Sequence, residues 1–173
     1  HGTTIRLALP ITTSIDEVLI LAVGEQTYAL PVDFVERVVP VEVDQLDQVD
    51  GQWLVPVVDE RLPALFLAPL VGEALPEQNS VGVVLRGGER AIVLVVDDVR
   101  GQQEVVLRPL SRLLEAHPFL SASTISGAGA VIFVLHVGRL FEIAGVAPEQ
   151  WVLSETALEG EGAEAVPTAR RGW

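Results

Sequence analysis

The chain contains no cysteine, no lysine and no methionine among its 173 residues. Without cysteine there are no disulfides, no thiolate metal sites and no thiol nucleophile. Without lysine there is no Schiff-base chemistry, no phosphate-loop lysine and no lysine general base; every one of the 11 basic residues is an arginine. A chain that opens without methionine is expected to be mature or cut from something longer, and no signal-like basic, apolar and small-residue series begins it. The longest apolar stretch, Leu62 to Val71, carries two prolines and is too short to cross a bilayer. Basic charge is also scarce. With 24 acidic residues against 11 basic ones the net charge is −13, which repels a phosphate backbone and an anionic membrane. Neither a nucleic acid partner nor direct membrane insertion is expected.

What is present is apolar: 49% of residues are hydrophobic and 20% charged, enough for an ordered core without metal or disulfide staples. The runs are short and β-rich. Val18–Val23 and Gln26–Leu30 flank Gly24-Glu25; Trp53–Val58 and Leu62–Phe66 flank Asp59-Glu60-Arg61; Val81–Leu85 and Ala91–Val96 flank Arg86-Gly-Gly-Glu89. Each reads as a hairpin. Val35–Val43 contains Pro40, which predicts an edge strand or a bend. Leu67–Val71 predicts a helical turn before Gly72, Gln103–Leu107 a strand, and Pro109–Ala116 a short amphipathic helix. Leu120–Ile125 and Ala130–Leu135 surround Ser126-Gly-Ala-Gly129 as a last hairpin. Glu73–Ser80 has turn composition and marks the internal boundary.

The two halves repeat. An offset of 64 places Gly24 on Gly88, Glu25 on Glu89, Leu30 on Leu94, Val32 on Val96, Asp33 on Asp97 and Val35 on Val99. Many short strands with turn signals and few helices predict an all-β architecture of two small barrels sharing a core. Beyond Ser154 the Glu-, Gly- and Ala-rich chain reads as an acidic linker over residues 151–173.

No set of catalytic groups emerges. Val95-Val96-Asp97-Asp98 ends a strand in two carboxylates, but the lysine and the βα alternation of a receiver domain are missing. His1, His117 and His136 have no ligand spacing, and no serine lies in a G-x-S-x-G elbow. Neither a cofactor nor a metal site is expected. What remains for function is surface, with Trp53 and Phe66 as candidate anchors because large aromatics supply much of the energy at interfaces.

The stretch Val96-Asp-Asp-Val-Arg-Gly-Gln-Gln-Glu-Val-Val-Leu-Arg-Pro-Leu110 closely resembles the second half of a CheW-like domain, as found at the regulatory end of CheA-type chemotaxis histidine kinases. Phe119–Leu135, with Thr124-Ile125 and Gly127-Ala-Gly129, looks like the family's Thr-Ile, Gly-x-Gly and apolar-strand segment. Glu25–Pro31 with Val35–Val38 looks like its first hairpin and following strand, and Arg61–Gly72 like its Leu-Pro strand and short helix. The resemblance spans about residues 17–144; His136 departs from it, standing where the family commonly has Asp. His1–Pro10 looks like the closing Gly-Thr-Thr motif and last strand of a kinase ATP-binding domain, with Ile5, Leu7 and Leu9 alternating as a half-buried strand does. That strand is expected to fray or to borrow another edge.

The resemblance implies two SH3-like five-stranded β-barrels around a shared core, with short helices. The expected division is 1–14 kinase-domain tail and linker, 15–150 the CheW-like domain and 151–173 linker. Within the domain the first barrel takes about 15–75 and the second about 80–135, with strands exchanged at the termini. The resemblance also implies a cytoplasmic docking module that binds a CheW-type adaptor protein and chemoreceptor tips and so controls kinase autophosphorylation; the alternative is a standalone CheW-type adaptor. The expected partner-binding positions are Glu36, Val38, Pro40, Trp53 and Phe66, taken as exposed along the first barrel, with Val105 and Val106 in the second.

Overall fold

A computed structural model describes residues 15–145, apart from 50, 77, 78 and 113. The strand expected within residues 1–10 and the linker from 151 lie outside the described residues. Eleven strands run in the order β1 (Ile15–Val23), β2 (Gln26–Pro31), β3 (Val35–Val41), β4 (Asp47–Val49), β5 (Gln52–Val57), β6 (Glu60–Phe66), β7 (Ser80–Gly87), β8 (Arg90–Val96), β9 (Asp98–Val106), β10 (Leu120–Ile125) and β11 (Val131–Leu135). Two short helices, α1 (Leu67–Leu70) and α2 (Val137–Ile143), follow β6 and β11. None of the described helices is long and apolar enough to cross a membrane.

The strands form a five-stranded sheet, β10-β11-β2-β1-β9, and a six-stranded sheet, β3-β7-β8-β6-β5-β4. Neither sheet follows chain order. Each hairpin of the repeat, β1-β2 or β7-β8, is completed by strands from the other half of the chain, so the boundary near residues 75–80 divides the sequence but not the sheets. Val105 and Val106, assigned from sequence to the later barrel, accordingly pair with Asp16 and Ile15 at the start of the chain.

This exchange explains why the hairpin strands are apolar without alternation. On β1, Val18 and Ile20 point into a cluster inside the five-stranded sheet, with Ala29, Ala122, Ile132 and Val134. Leu19, Leu21 and Val23 point the other way, into the core shared by both sheets. On β8, Ala91, Val93 and Val95 line the inside of the six-stranded sheet, whereas Ile92, Leu94 and Val96 face the shared core. A strand buried on both faces has no polar side to show.

The offset of 64 holds down to single cross-strand pairs. Val38 opposes Val83 on β7, and Gln102 opposes Leu19 on β1. Each outer strand carries a one-residue bulge, at Glu36 between Val35 and Arg37 and at Arg100 between Val99 and Gly101. Bulges bend a strand and tighten its twist, and here they curl both sheets. The five-stranded sheet closes where Arg108 and Ser123 exchange backbone hydrogen bonds of 2.8 and 2.9 Å. Asp97, at the crossing from β8 to β9, accepts from the Gly24 backbone N–H at 2.6 Å and so ties the first hairpin turn to the other sheet.

One local expectation changes, and two features were not foreseen. Pro109–Ala116 is not a helix: turns occupy 112 and 114–116, with Leu114 and Glu115 both donating to the Ser111 carbonyl. Helix α2 was unforeseen, since Val137-Gly138 weakens its start. His136 supplies the compensation: its Nδ1 accepts from the Arg139 backbone N–H at 3.3 Å and caps α2, a task a carboxylate performs as well. The β6 strand serves two partners in turn, Glu60–Pro63 pairing with β5 and Ala64–Phe66 running parallel to β8.

Candidate docking surface

β3 is an edge strand of the six-stranded sheet, and Pro40 sits there without costing a ladder hydrogen bond on the open side. Val39 and Val41 turn inward to the core of that sheet. The alternate residues Val38 and Pro40 therefore face outward, and Val38 is 46% exposed. Just before them, the bulge projects Glu36 into solvent, where it pairs with Arg86 on β7 and with its neighbour Arg37. Arg86 reaches on to Glu60 at 3.1 Å, and Arg61 pairs with Asp47. The Arg86 guanidinium first, and then Arg37, hold the Glu36 carboxyl below the usual carboxylate range. Exposed pairs of this kind add little stability; they fix the bulge and set a mixed-charge rim beside the apolar positions.

At the far end of β3, Pro40, Val41 and Glu42 face Leu46, Val55 and Pro56 across a cavity of about 130 Å³. This is the mouth of the curled six-stranded sheet. Trp53 lies near it on β5, with the same parity as the buried Val55 and Val57, and packs half-buried against the inner cluster. Its ring meets Phe66 edge to face, 6.3 Å between centroids and 79° between planes.

The sequence-derived positions thus separate into three groups. Glu36, Val38 and Pro40 share one exposed strand. Trp53 and Phe66 form a pair whose inner member, Phe66, is only 9% exposed; the expectation that Phe66 is an exposed position does not hold, because α1 starts at Leu67 and turns β6's end into the core. Val106 is exposed on the five-stranded sheet, while its neighbour Val105 turns into that sheet's interior. Sequence reasoning missed Arg86 and Glu60, which complete the ionic rim, and Val58 at the β5–β6 turn, 82% exposed with φ of 51°. The first two gave no local signal, since only sheet register brings them to Glu36. Val58, read from sequence as the last residue of a strand, gave no turn signal, because a β-branched residue is disfavoured at positive φ.

Among the described residues no group of three His, Asp or Glu side chains could hold a metal ion. The arrangement offers an edge strand, exposed aliphatics and a charged rim. Comparisons with known proteins agree with this. The chain is 30% identical over 142 residues to the chemotaxis protein CheA of Halobacterium salinarum, covering 81% of this chain and 21% of that one. It is 32% identical over 146 residues to the sensor histidine kinase CheAY of Helicobacter pylori, covering 83% and 18%. The chain therefore spans about a fifth of the curated relatives it matches. In fold it is similar to the scaffolding protein TtCheW of Thermoanaerobacter tengcongensis, with a TM-score of 0.65 at 14% identity, over 75% of this chain and 94% of that one. Residues 17–144 match the CheW-like domain, and the chain belongs to that family.

Proposed function

We propose that the chain is the regulatory coupling domain of a CheA-type histidine kinase, cytoplasmic, docking a CheW-type adaptor and chemoreceptor tips and thereby controlling autophosphorylation. The observation that carries this reading is the pattern of coverage: relatives at 30% and 32% identity are a chemotaxis protein CheA and a sensor histidine kinase CheAY, and the match occupies only about a fifth of each. A domain without catalytic groups acts on a kinase through position. Docking that favours one placement of the ATP-binding domain over another shifts the population of active arrangements, by no more than the difference in docking affinity for the two. The outward β3 residues Glu36, Val38 and Pro40 are the leading contact candidates, with Val106 as a weaker one; Trp53 and Phe66 support the mouth from within, and Val105 supports Val106.

Titration calorimetry of the chain against a CheW-type adaptor of the same genome, at two salt concentrations, tests the proposal. Micromolar binding with weak salt dependence is expected for apolar docking. An adaptor that fails to bind would sink it. The second reading, a standalone adaptor, draws on the likeness to TtCheW, of which 94% is covered. The reading frame upstream of His1 discriminates: Asn-, Gly- and Asp-rich ATP-site boxes there mean kinase.

A further inference from the structure

Helix α2 is held along its length by the core. Val137, Leu140, Phe141 and Ala144 sit in the shared cluster, and the Phe141 ring lies beneath Gly87 of β7, 3.3 Å from where a Cβ would stand. Its C-terminal end is closed by Ala144 and Gly145, whose N–H groups donate to the Leu140 and Glu142 carbonyls at 3.0 Å, with Gly145 at φ of 72°. The Ala144 carbonyl is taken up by a distant part of the chain. Gln52 Nε2, on the β4–β5 hairpin, donates to it at 2.9 Å. Residues 146–173 continue from this point.

The hairpin that supplies Gln52 is lightly built. β4 is a three-residue edge strand with every residue exposed, and it pairs with β5. Its ion pair from Asp47 to Arg61 is exposed at both ends and adds little. β5 has its ladder with β6, and two consecutive residues of β5 anchor the hairpin through their side chains. Trp53 turns inward to Phe66 and the cluster inside the six-stranded sheet, while Gln52, of opposite parity, turns to α2. Leu46 and Val55, on either side of this pair, wall the mouth cavity. Neighbours on one strand do not move independently, so a shift that draws Trp53 away from Phe66 also draws the Gln52 amide off Ala144. We infer that the β4–β5 hairpin is a latch with two positions, closed with the Gln52–Ala144 hydrogen bond made and open with it broken, which links the mouth to the hold on the chain leaving α2. A side chain seated in the cavity braces Leu46 and Val55 and favours the closed position. Loosening the α2 exit weakens that seat by the same factor, as linkage requires. The inference goes beyond the docking function proposed above, because the latch belongs to the free chain whatever occupies the mouth.

The test uses the 173-residue chain carrying Trp151→Phe and Trp173→Phe, which leaves Trp53 as its one indole. Gln52→Ala is expected to speed hydrogen exchange at the Ala144 and Gly145 amides by about fivefold, the equivalent of one lost hydrogen bond. Gln52→Glu, which keeps the size but loses the donor, is expected to do the same. Gly145→Ala loosens the exit from the other side by conformation alone, because its left-handed φ disfavours a side chain while the added Cβ meets nothing within 4 Å. The fraction of Trp53 open to acrylamide quenching is then expected to rise by up to about the same fivefold, and the rise should vanish in the Gln52→Ala chain. Leu46→Ala, which removes one wall of the mouth, is expected to speed exchange at Ala144 and Gly145 only while Gln52 is present. Trp53 quenching that Gly145→Ala leaves unmoved, or moves equally with and without Gln52, overturns the latch. Unchanged exchange in Gln52→Ala overturns it as well, and unchanged exchange in Leu46→Ala overturns its link to the mouth. No reading here involves a partner, so an adaptor that fails to bind sinks the docking function and leaves the latch standing.

Discussion

β3 and β9 are the same strand twice. Each follows its own hairpin, crosses to the other sheet, bulges at its second or third residue and pairs with the first strand of the other hairpin in the same register. Their surfaces nevertheless differ at every outward position. β3 presents Glu36, Val38 and Pro40, whereas β9 presents Arg100, Gln102 and Glu104 at the offset of 64. Inward positions differ as well: Gly82 on β7 stands where Val18 stands on β1. A repeat preserved in register but divergent in side chains separates what the backbone needs from what a surface is used for. The pairing and the bulge are needed by both halves. The aliphatic edge belongs to one, and the polar edge to the other.

The largest effect is expected from making the two interiors alike. A Cβ at Gly82 would lie 2.6 Å from Val93 Cγ1 and 2.8 Å from Val41 Cγ2, so the six-stranded sheet is narrower here than the five-stranded one, which holds Val18. Gly82→Val should cost about 3 kcal/mol, the upper range for overpacking a filled core, and lower the melting temperature by roughly 10 °C. A melting temperature unchanged within a degree would show that the sheet can widen, and the two interiors would then be equivalent.

Next in size is the comparison of the outward edges. Val38→Ser should leave stability within about 0.5 kcal/mol and reduce adaptor affinity by more than about 2 kcal/mol if β3 carries a hot spot. The equivalent Gln102→Ser should change neither. Equal losses at both positions would mean that docking does not distinguish the strands. Trp53→Ala, by contrast, should act on the fold: removing a half-buried ring that meets Phe66 edge to face should cost about 2 kcal/mol, below the range for a fully buried aromatic. A normal melting temperature with lost affinity would move Trp53 from the interior support to the contact surface.

These contrasts also indicate what the sequence carried. The hairpins at Gly24 and Gly88, the Pro40 edge, and the α1 turn before Gly72 were legible because each rests on a local rule: positive φ, a missing N–H, or a continuous apolar run. The resemblance implied two barrels that exchange strands at the termini, but not which strands pair. Strand exchange was beyond composition and periodicity, since β6 beside β8 and β9 beside β1 are pairings across many residues that any Val-rich strand satisfies. The site suffered from the same limit. Val38 and Phe66 are both apolar residues in β-rich runs, and only the start of α1 after Phe66 and the free edge of β3 decide which one meets solvent.

Three of the hairpins that turn on two residues, β1–β2, β5–β6 and β7–β8, provide a smaller test. Gly24 and Gly88 take φ of 57° and 63°, while Val58 takes 51° at the corresponding place in the β5–β6 turn. A β-branched residue in this region costs about 1–2 kcal/mol relative to glycine, partly offset by glycine's greater freedom when unfolded. Val58→Gly should therefore raise stability by roughly 1 kcal/mol in thermal or urea unfolding. No gain would mean that the exposed side chain is held by contacts that repay its conformation.

The smallest effect is expected at the bulges themselves, where Glu36 and Arg100 hold equivalent positions with opposite charge. Glu36 is held below the usual carboxylate range by Arg86 and then Arg37, while the Arg100 side chain reaches Thr27 Oγ1 at 3.4 Å. A carboxyl with a lowered folded-state pKa binds its proton less readily when folded, so its contribution is present above the ordinary carboxylate range and is lost as pH falls through the lowered value. Wild type should thus be slightly more stable than Glu36→Gln near neutral pH, and the difference should close in acid. It should also shrink with salt, because the pair is exposed. Arg100→Gln should show no such closure, since the Arg100 guanidinium reaches a hydroxyl, Thr27 Oγ1. A Glu36→Gln difference that persisted unchanged into acid would mean that the bulge is held by its backbone pairing alone, as it then must be at Arg100, and the ionic rim would be left as a feature of the surface rather than of the fold.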